Sequence, residues 1–170
     1  DFILFKIYAN AAKRLVRGEL IQLKSLFMKV PIENDYFRII DGKTAALFEA
    51  SCKAGASSTS KNDKQINALG VFGKNIGMAY QIKDDLFAYQ NKNIGKPIHI
   101  DFVERKVTLP LIYTLNNLNY WQRIKLIVAL KFKRMNQRNI EYIIGEVEKT
   151  GGIMYASKKI EEYIELALSS

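Results

Sequence analysis

The sequence is poor in cysteine, histidine and proline, with one, one and three of these residues among its 170. Because Cys52 has no second cysteine to pair with, an internal disulfide is excluded. His99 stands alone as well, which excludes a histidine cluster for zinc. The start of the chain lacks the charged and apolar regions of a secretory signal, and together these absences predict a cytoplasmic protein.

Long apolar runs and strand-like alternation are also missing. Lys or Arg interrupts the apolar runs before they approach the ~18 residues of a membrane-spanning helix. No segment alternates apolar and polar residues for long enough to predict a strand. Hydrophobic residues make up 48% of the chain, which is enough to bury a core. We therefore predict a single all-α domain over residues 1–170.

Acidic residues are the minority charge, since 17 Asp and Glu stand against 26 Lys and Arg and give a net charge of +9. This excess favours anionic partners such as diphosphates, phospholipid headgroups or nucleic acid. No nucleic-acid-binding motif accompanies it, so nucleic acid is not predicted as a partner. The basic segment from Lys131 to Arg138 fits a solvated helix end or, alternatively, a peripheral contact with a lipid or a partner protein.

Apolar residues recur at three- and four-residue spacing along most of the chain, which is the pattern of amphipathic helices. The second helix should start near Pro31 and be closed by Gly55, and Ser60 should cap the third. The pattern predicts helices over residues 2–28, 31–54, 61–89, 107–117, 119–133, 137–149 and 152–168, with a loop at 90–105. Long helices of this kind predict a bundle around a central cavity.

Three glycines interrupt the third predicted helix, at Gly70, Gly73 and Gly77. Each costs roughly 1 kcal/mol relative to alanine in an exposed helix interior. We interpret the stripe as a site of close helix packing, with a ligand role as the alternative.

Two adjacent acids near the end of that helix predict a metal site. Asp84 and Asp85 supply carboxylate oxygens of the kind that Mg²⁺ binds, and Mg²⁺ completes its shell with water and substrate phosphate oxygens. Gln81 precedes them by about one helical turn. Lys96 and Lys106 flank the following loop, where they can neutralise phosphate charge. The alternative is a solvent-facing acidic pair, which the helix dipole disfavours at this end of a helix.

The order of these residues resembles the second aspartate-rich region of the trans-type polyprenyl diphosphate synthases. The similar segments are Tyr80-Gln81, Asp84-Asp85, Gly95-Lys96-Pro97, Asp101 and Lys106-Val107-Thr108-Leu109-Pro110, preceded by Gly18-Glu19-Leu20-Ile21-Gln22 and Gly42-Lys43-Thr44. The resemblance covers essentially the whole chain. It implies an isoprenoid-synthase-like helical bundle, of which this chain is the C-terminal part, and a homodimer. It also implies Mg²⁺ as cofactor, and isopentenyl diphosphate and an allylic diphosphate as substrates.

The resemblance implies roles for the acids and the amides. Asp84 would bind Mg²⁺ directly, and Asp85 would act through metal-bound water or a lysine. Gln81 would face the reacting carbons of the allylic substrate, and Gln22 would face the same cavity from the first helix. Asp101 would orient a lysine or a metal-bound water.

The resemblance implies roles for the cations as well. Lys43 would bind diphosphate, and Thr44 would place its hydroxyl beside the developing carbocation. Lys96 and Lys106 would cover the leaving diphosphate. From the residues alone, Lys43 can also be read as a surface lysine whose stem packs on the helix.

The chain departs from the family pattern in two kinds of feature. Asp84-Asp85 is its one Asp-Asp pair, so the first aspartate-rich motif is absent, and Ala88 and His99 replace an acid and a glycine. We expect the chain to be the C-terminal half of a longer enzyme and to be inactive alone. Two alternatives are a non-catalytic or regulatory subunit that pairs with an active synthase, and a basic helical binding protein of similar architecture.

Overall fold

The computed structural model describes residues 2–26, 32–60, 62–89, 102, 104, 106–132 and 134–170. All regular elements within these ranges are helical, which confirms the all-α prediction. They are α1 (Phe2–Leu26), α2 (Glu33–Ile40), a π-helical turn (Asp41–Ala45), α3 (Ala46–Thr59), α4 (Asp63–Leu86), a 3₁₀ turn (Phe87–Tyr89), α5 (Leu109–Asn117), α6 (Tyr120–Phe132), α7 (Gln137–Thr150) and α8 (Gly152–Leu168). Over the described ranges, every helix is too short or too polar to cross a membrane.

The boundary between α3 and α4 differs from the prediction. Gly55 does not end its helix, because α3 continues to Thr59. Ser57 and Ser58 lie in the last turns of this helix, where their hydroxyl groups donate to the carbonyls of Ala54 and Gly55 at 3.0 and 2.7 Å. The predicted cap Ser60 is also wrong: α4 begins at Asp63, and the Oδ1 atom of Asn62 accepts from the Lys64 N–H at 3.0 Å.

A π-helical turn joins α2 to α3, and the sequence pattern did not predict it. The turn covers Asp41–Ala45, and the Ala46 N–H bonds to the carbonyl of Asp41, five residues earlier. A π turn adds one residue to a helical turn, and such turns are frequent at functional sites. Here it contains Gly42, Lys43 and Thr44, the segment to which the sequence assigned a binding role.

One compact unit consists of residues 1–81 and 159–170. In it α1 packs against α2, the π turn and α3. Gly42 allows the closest approach, because a Cβ atom there would lie 2.6 Å from the Arg14 carbonyl oxygen. The glycines of α4 allow a similarly close approach to the π turn and α3: a Cβ at Gly77 would lie 2.6 Å from the Cα of Ala45, and one at Gly73 would lie 2.7 Å from the Phe48 carbonyl oxygen. The packing interpretation of the glycine stripe is therefore confirmed.

A second compact unit consists of residues 82–158. Its apolar core is formed by residues of α5, α6 and α7, together with Ala88, Tyr89 and Phe102. Gly151 ends α7 in the left-handed conformation with φ +79°, which glycine adopts without strain. Tyr89 donates to or accepts from the Thr108 hydroxyl at 2.6 Å, next to the start of α5.

Candidate active site

Lys43 is held by two residues of the Gly18–Gln22 segment on α1. Its Nζ donates to Oε1 of Gln22 at 2.6 Å and lies 2.9 Å from Oε1 of Glu19. The Lys43 side chain is 32% exposed. A Cβ at Gly18 would lie 3.2 Å from the Lys43 backbone nitrogen, so glycine at this position makes room for the π turn. Lys43 is thus held by two side chains of α1, and its role in binding diphosphate stays a prediction.

Thr44 links the π turn to α4. Its hydroxyl donates to Oε1 of Gln81 at 2.6 Å. The two residues are 37 apart in the sequence, and both are partly buried. The structure therefore brings together Gln22, Lys43, Thr44 and Gln81, four residues that the sequence proposed for one site.

The acid pair lies in the last turn of α4, three and four residues after Gln81. Asp85 is buried, with 9% of its surface exposed, and Asp84 is partly buried. Both residues make interactions within the protein. Two adjacent carboxylates, neither fully exposed, are a donor set that fits Mg²⁺, which leaves other positions to water and phosphate oxygens. Over the described part of the chain, His, Cys, Asp and Glu form no group of three that could hold a metal without such additions.

Ala88, which replaces the acid expected from the resemblance, has a structural role. Ala88 is the middle residue of the 3₁₀ turn that follows α4, and its side chain lies in the apolar core of residues 82–158. It is 8% exposed. A carboxylate here would be desolvated among apolar groups, which is costly without a partner. The apolar surroundings of this position thus suit alanine better than an acid.

Lys106 lies where the chain approaches α5. Its Nζ is 2.9 Å from Oε2 of Glu104, and its side chain is 44% exposed. The following Thr108 and Pro110 form the start of α5, where the Thr108 carbonyl accepts from the Ile112 N–H at 3.0 Å. The Lys106–Pro110 motif therefore anchors the lysine directly before a helix. Lys96, His99 and Asp101 lie outside the described residues, and their roles remain predictions.

Sequence reasoning missed an ion-pair network beside the π turn. Arg14 binds both carboxylate oxygens of Asp41, at 2.9 and 3.0 Å, and an oxygen of Glu49 at 2.5 Å. Lys53 and Lys74 extend the network, bonding to Glu49 at 2.7 Å and pairing with Asp41 at 3.2 Å. The partners are up to 35 residues apart, so no local pattern in the sequence signals them.

The network shifts two pKa values. Burial alone would raise the pKa of Glu49, but hydrogen bonds from Lys53 and Arg14 outweigh it and leave that pKa below its ordinary 4.5. Burial alone would lower the pKa of Arg14, but hydrogen bonds to Glu49 and Asp41 leave it raised. Both charges are therefore fixed at neutral pH, and they clamp α1 to the π turn and α3.

A cavity of about 430 Å³ borders this network. Its lining comes from α1, α2, the π turn, α4 and α8, and includes Arg14, Arg17, Arg38, Asp41 and Lys74. Arg38 pairs with Asp35 at 3.2 Å. Arg14, Arg38 and Lys74 thus already have carboxylate partners, and the cavity places paired cations beside the π turn.

Comparison with known proteins decides the family. The polyprenyl synthetase family model matches residues 2–147. The chain belongs to the polyprenyl synthetase family. It is 33% identical over 164 residues to heptaprenyl diphosphate synthase component 2 of Bacillus subtilis, covering 95% of this chain and 46% of the relative.

Solved structures of polyprenyl synthetases share the fold. A decaprenyl diphosphate synthase from Rhodobacter capsulatus superposes with a TM-score of 0.89 at 30% identity, covering 98% of this chain and 52% of that one. A polyprenyl synthase from Caulobacter crescentus, complexed with calcium and isoprenyl diphosphate, gives a TM-score of 0.89 at 26% identity, with the same coverage of 98% and 52%. These matches confirm the predicted isoprenoid-synthase fold. The chain spans about half the length of the curated relatives it matches.

Proposed function

We propose that this chain carries the second aspartate-rich half-site of a Mg²⁺-dependent trans-prenyltransferase, which condenses isopentenyl diphosphate with an allylic diphosphate. The observation that carries the proposal is the pair of contacts that join its motifs: Lys43 to Gln22, and Thr44 to Gln81. These contacts gather a cation, a hydroxyl and an amide from three separate helical segments. Membership of the polyprenyl synthetase family supports the reaction class.

In this proposal, the cations bind and orient the substrate diphosphate. Glu19 and Gln22 hold the Lys43 ammonium group in place, so that its remaining donor capacity is directed rather than mobile. Lys106 adds a second positive charge near the end of the following loop. Fixed donors of this kind stabilise charge that develops on a leaving group. When bound by Asp84 and, through water, by Asp85, Mg²⁺ would supply further positive charge to the departing diphosphate.

Thr44 and Gln81 would act at the hydrocarbon end of the reaction. The Thr44 hydroxyl donates to the Gln81 amide oxygen, so the oxygen of Thr44 keeps lone pairs for an electron-poor carbon. Both groups are partly buried, which limits the access of water to a reactive carbocation. The pair therefore suits the stabilisation of positive charge more than general acid–base chemistry.

The direct test is the Mg²⁺ dependence of turnover in the full-length protein. We expect Asp84→Ala to reduce kcat by at least about a hundredfold, because it removes a charge that fixes the metal. Initial rates would be measured against Mg²⁺ concentration with a short allylic diphosphate and isopentenyl diphosphate. Asp63→Ala, at the exposed start of the same helix, is the matched control and should leave the rate unchanged.

An Asp84→Ala variant with wild-type turnover and Mg²⁺ dependence would contradict the assigned role. The second candidate is a non-catalytic subunit that pairs with an active synthase, and turnover that the purified full-length protein shows only together with such a partner would favour it. One observation supports the existence of a partner subunit: a relative at 33% identity is named as component 2 of its synthase. Catalysis by the purified full-length protein without any partner would exclude the second candidate. The fragment of residues 1–170 alone is expected to be inactive, since it lacks the first aspartate-rich motif.

A further inference from the structure

The outer face of α6 carries an unusual set of exposed apolar side chains. Trp121 and Phe132 are each 77% exposed, and Tyr120 is 70% exposed. Ile124 and Val128 lie between them and are 37% and 39% exposed. We call these five residues the α6 stripe. Helical spacing of three, four and eight residues places them along one side of a single helix.

The opposite face of α6 packs into the apolar core of the second compact unit. Leu126, Ala129 and Leu130 are buried in the apolar core of residues 82–158. The α6 stripe is therefore not needed for that core, and the large aromatic groups at its two ends face away from it. Exposed Trp and Tyr side chains, each with an apolar body and a polar tip, suit the boundary between lipid and water.

The charged residues around the α6 stripe indicate what kind of surface it binds. Between residues 119 and 138 the sequence contains six Lys or Arg residues and no Asp or Glu. Lys125 and Lys131 flank the stripe on its own helix and are exposed, and Lys125 also lies 5.1 Å from the centre of the Tyr142 ring. An apolar stripe bordered by cations, without acids on the same segment, matches an anionic membrane surface.

We propose that the α6 stripe docks the protein on an anionic phospholipid surface, with Trp121 and Phe132 inserted among the headgroups and Lys125 and Lys131 against the phosphates. The aliphatic centre of the stripe favours lipid over nucleic acid, whose bases stack on aromatic rings and whose phosphates need cations. The docking is peripheral, and it does not depend on the proposed catalytic roles.

The test is co-sedimentation of the full-length protein with phospholipid vesicles. We expect binding to vesicles that contain phosphatidylglycerol, weak binding to pure phosphatidylcholine, and release as salt is raised from 0.1 to 1 M, which shortens the Debye length from about 10 to about 3 Å. Trp121→Ser with Phe132→Ser should weaken binding at least about tenfold. Lys125→Gln with Lys131→Gln should remove the preference for anionic lipid.

The control is Met154→Ser with Leu168→Ser, which removes apolar side chains of matching exposure, 75% and 76%, from α8. It should bind vesicles as the wild type does, and circular dichroism should show that all variants keep the same helix content. Equal binding to both vesicle types, an equal loss in the control, or full binding by the Trp121 and Phe132 variant would each overturn the proposal. The proposal would also be overturned if substitution of the stripe left vesicle binding unchanged and altered the oligomeric state or RNA binding of the protein.

Discussion

At the residue scale, the contact between Thr44 and Gln81 is the most informative detail of the site. It joins side chains 37 residues apart through a 2.6 Å hydrogen bond in which the hydroxyl is the donor. The bond fixes the Thr44 oxygen beside the Gln81 amide, so a substrate meets both groups together. Neither residue could do this if the π turn and α4 were farther apart, and Gly77 of α4 allows their close approach.

Thr44→Val keeps the shape of the side chain and removes the donor. We expect a loss of about 1 kcal/mol in the free energy of unfolding, and a fall in kcat of the full-length enzyme that exceeds any rise in KM. Thr44→Ser should restore most of both. The measurements are chemical denaturation and steady-state kinetics. If the valine and serine variants behave alike, the hydroxyl has no role in turnover.

The lowered pKa of Glu49 predicts how the free energy of unfolding depends on pH. Its pKa is lower in the folded protein than its ordinary 4.5, so the folded state binds the proton less readily than the unfolded state. The stabilisation is therefore complete above pH 4.5 and is lost as the pH falls through the folded pKa. Glu49→Gln should reduce the free energy of unfolding at neutral pH and flatten its decline in acid, as measured by urea denaturation at a series of pH values. Glu165→Gln, at an exposed position, should leave the shape of that decline unchanged.

The sequence could predict most of these residues but not their contacts. The pairs Lys43 with Gln22 and Thr44 with Gln81 were expected to share a site because their motifs resembled a family, not because of any spacing. No family-like motif pointed to the ion-pair network of Arg14, Asp41 and Glu49. Long-range ion pairs leave no periodic trace in a sequence, whereas buried helix faces do.

At the element scale, helices were predictable where apolar periodicity continues and less so at their ends. Helices α5, α7 and α8 begin and end within about two residues of the predicted limits, which is the usual uncertainty of helix boundaries. The predicted end of α3 at Gly55 is wrong, because Gly55 does not adopt the left-handed conformation that ends a helix and α3 continues to Thr59. The π turn was missed because hydrophobic spacing does not distinguish one added residue within a helix from an ordinary turn.

Alanine substitutions at Gly77 and Gly55 test whether close packing, and not helix propensity, requires glycine in α4. Gly77→Ala places a methyl group 2.6 Å from the Cα of Ala45 and should destabilise the protein, because backbone cannot move aside cheaply. Gly55→Ala meets nothing within 4 Å and should stabilise α3 by up to about 1 kcal/mol through helix propensity alone. Thermal or chemical denaturation of both variants measures the difference. A Gly77→Ala variant that is at least as stable as the wild type would refute the assignment of Gly77 to close packing.

At the scale of the whole molecule, α1 carries a long exposed apolar face. Phe5, Leu20 and Leu23 are 69%, 61% and 54% exposed. The buried side of α1 already packs on α2, the π turn and α3. The predicted homodimer would cover this outer face, since large apolar patches on a soluble protein usually mark an interface.

Leu20→Glu with Leu23→Glu should convert a dimer of the full-length protein into a monomer, because two buried like charges would oppose each other across a symmetric contact. Analytical ultracentrifugation at micromolar concentration measures the change. Leu168→Glu, on the exposed end of α8, is the control and should remain dimeric. A wild-type protein that sediments as a monomer would refute the prediction.

The π turn has a consequence for how this segment responds to a change in length. Because a π turn holds one more residue than an α turn over a similar rotation, it absorbs that residue locally and the following helix keeps its phase. Ala46 and Ala50 thus stay turned towards Ala11, with which they form a small buried cluster. Deleting one residue from Asp41–Ala45 would convert the turn to ordinary α-helix and leave that cluster in register, but it would change which side chains the turn presents beside Gln22 and Gln81. A residue added within α3, where the helix stays α-helical, would instead rotate everything after it by about 100°.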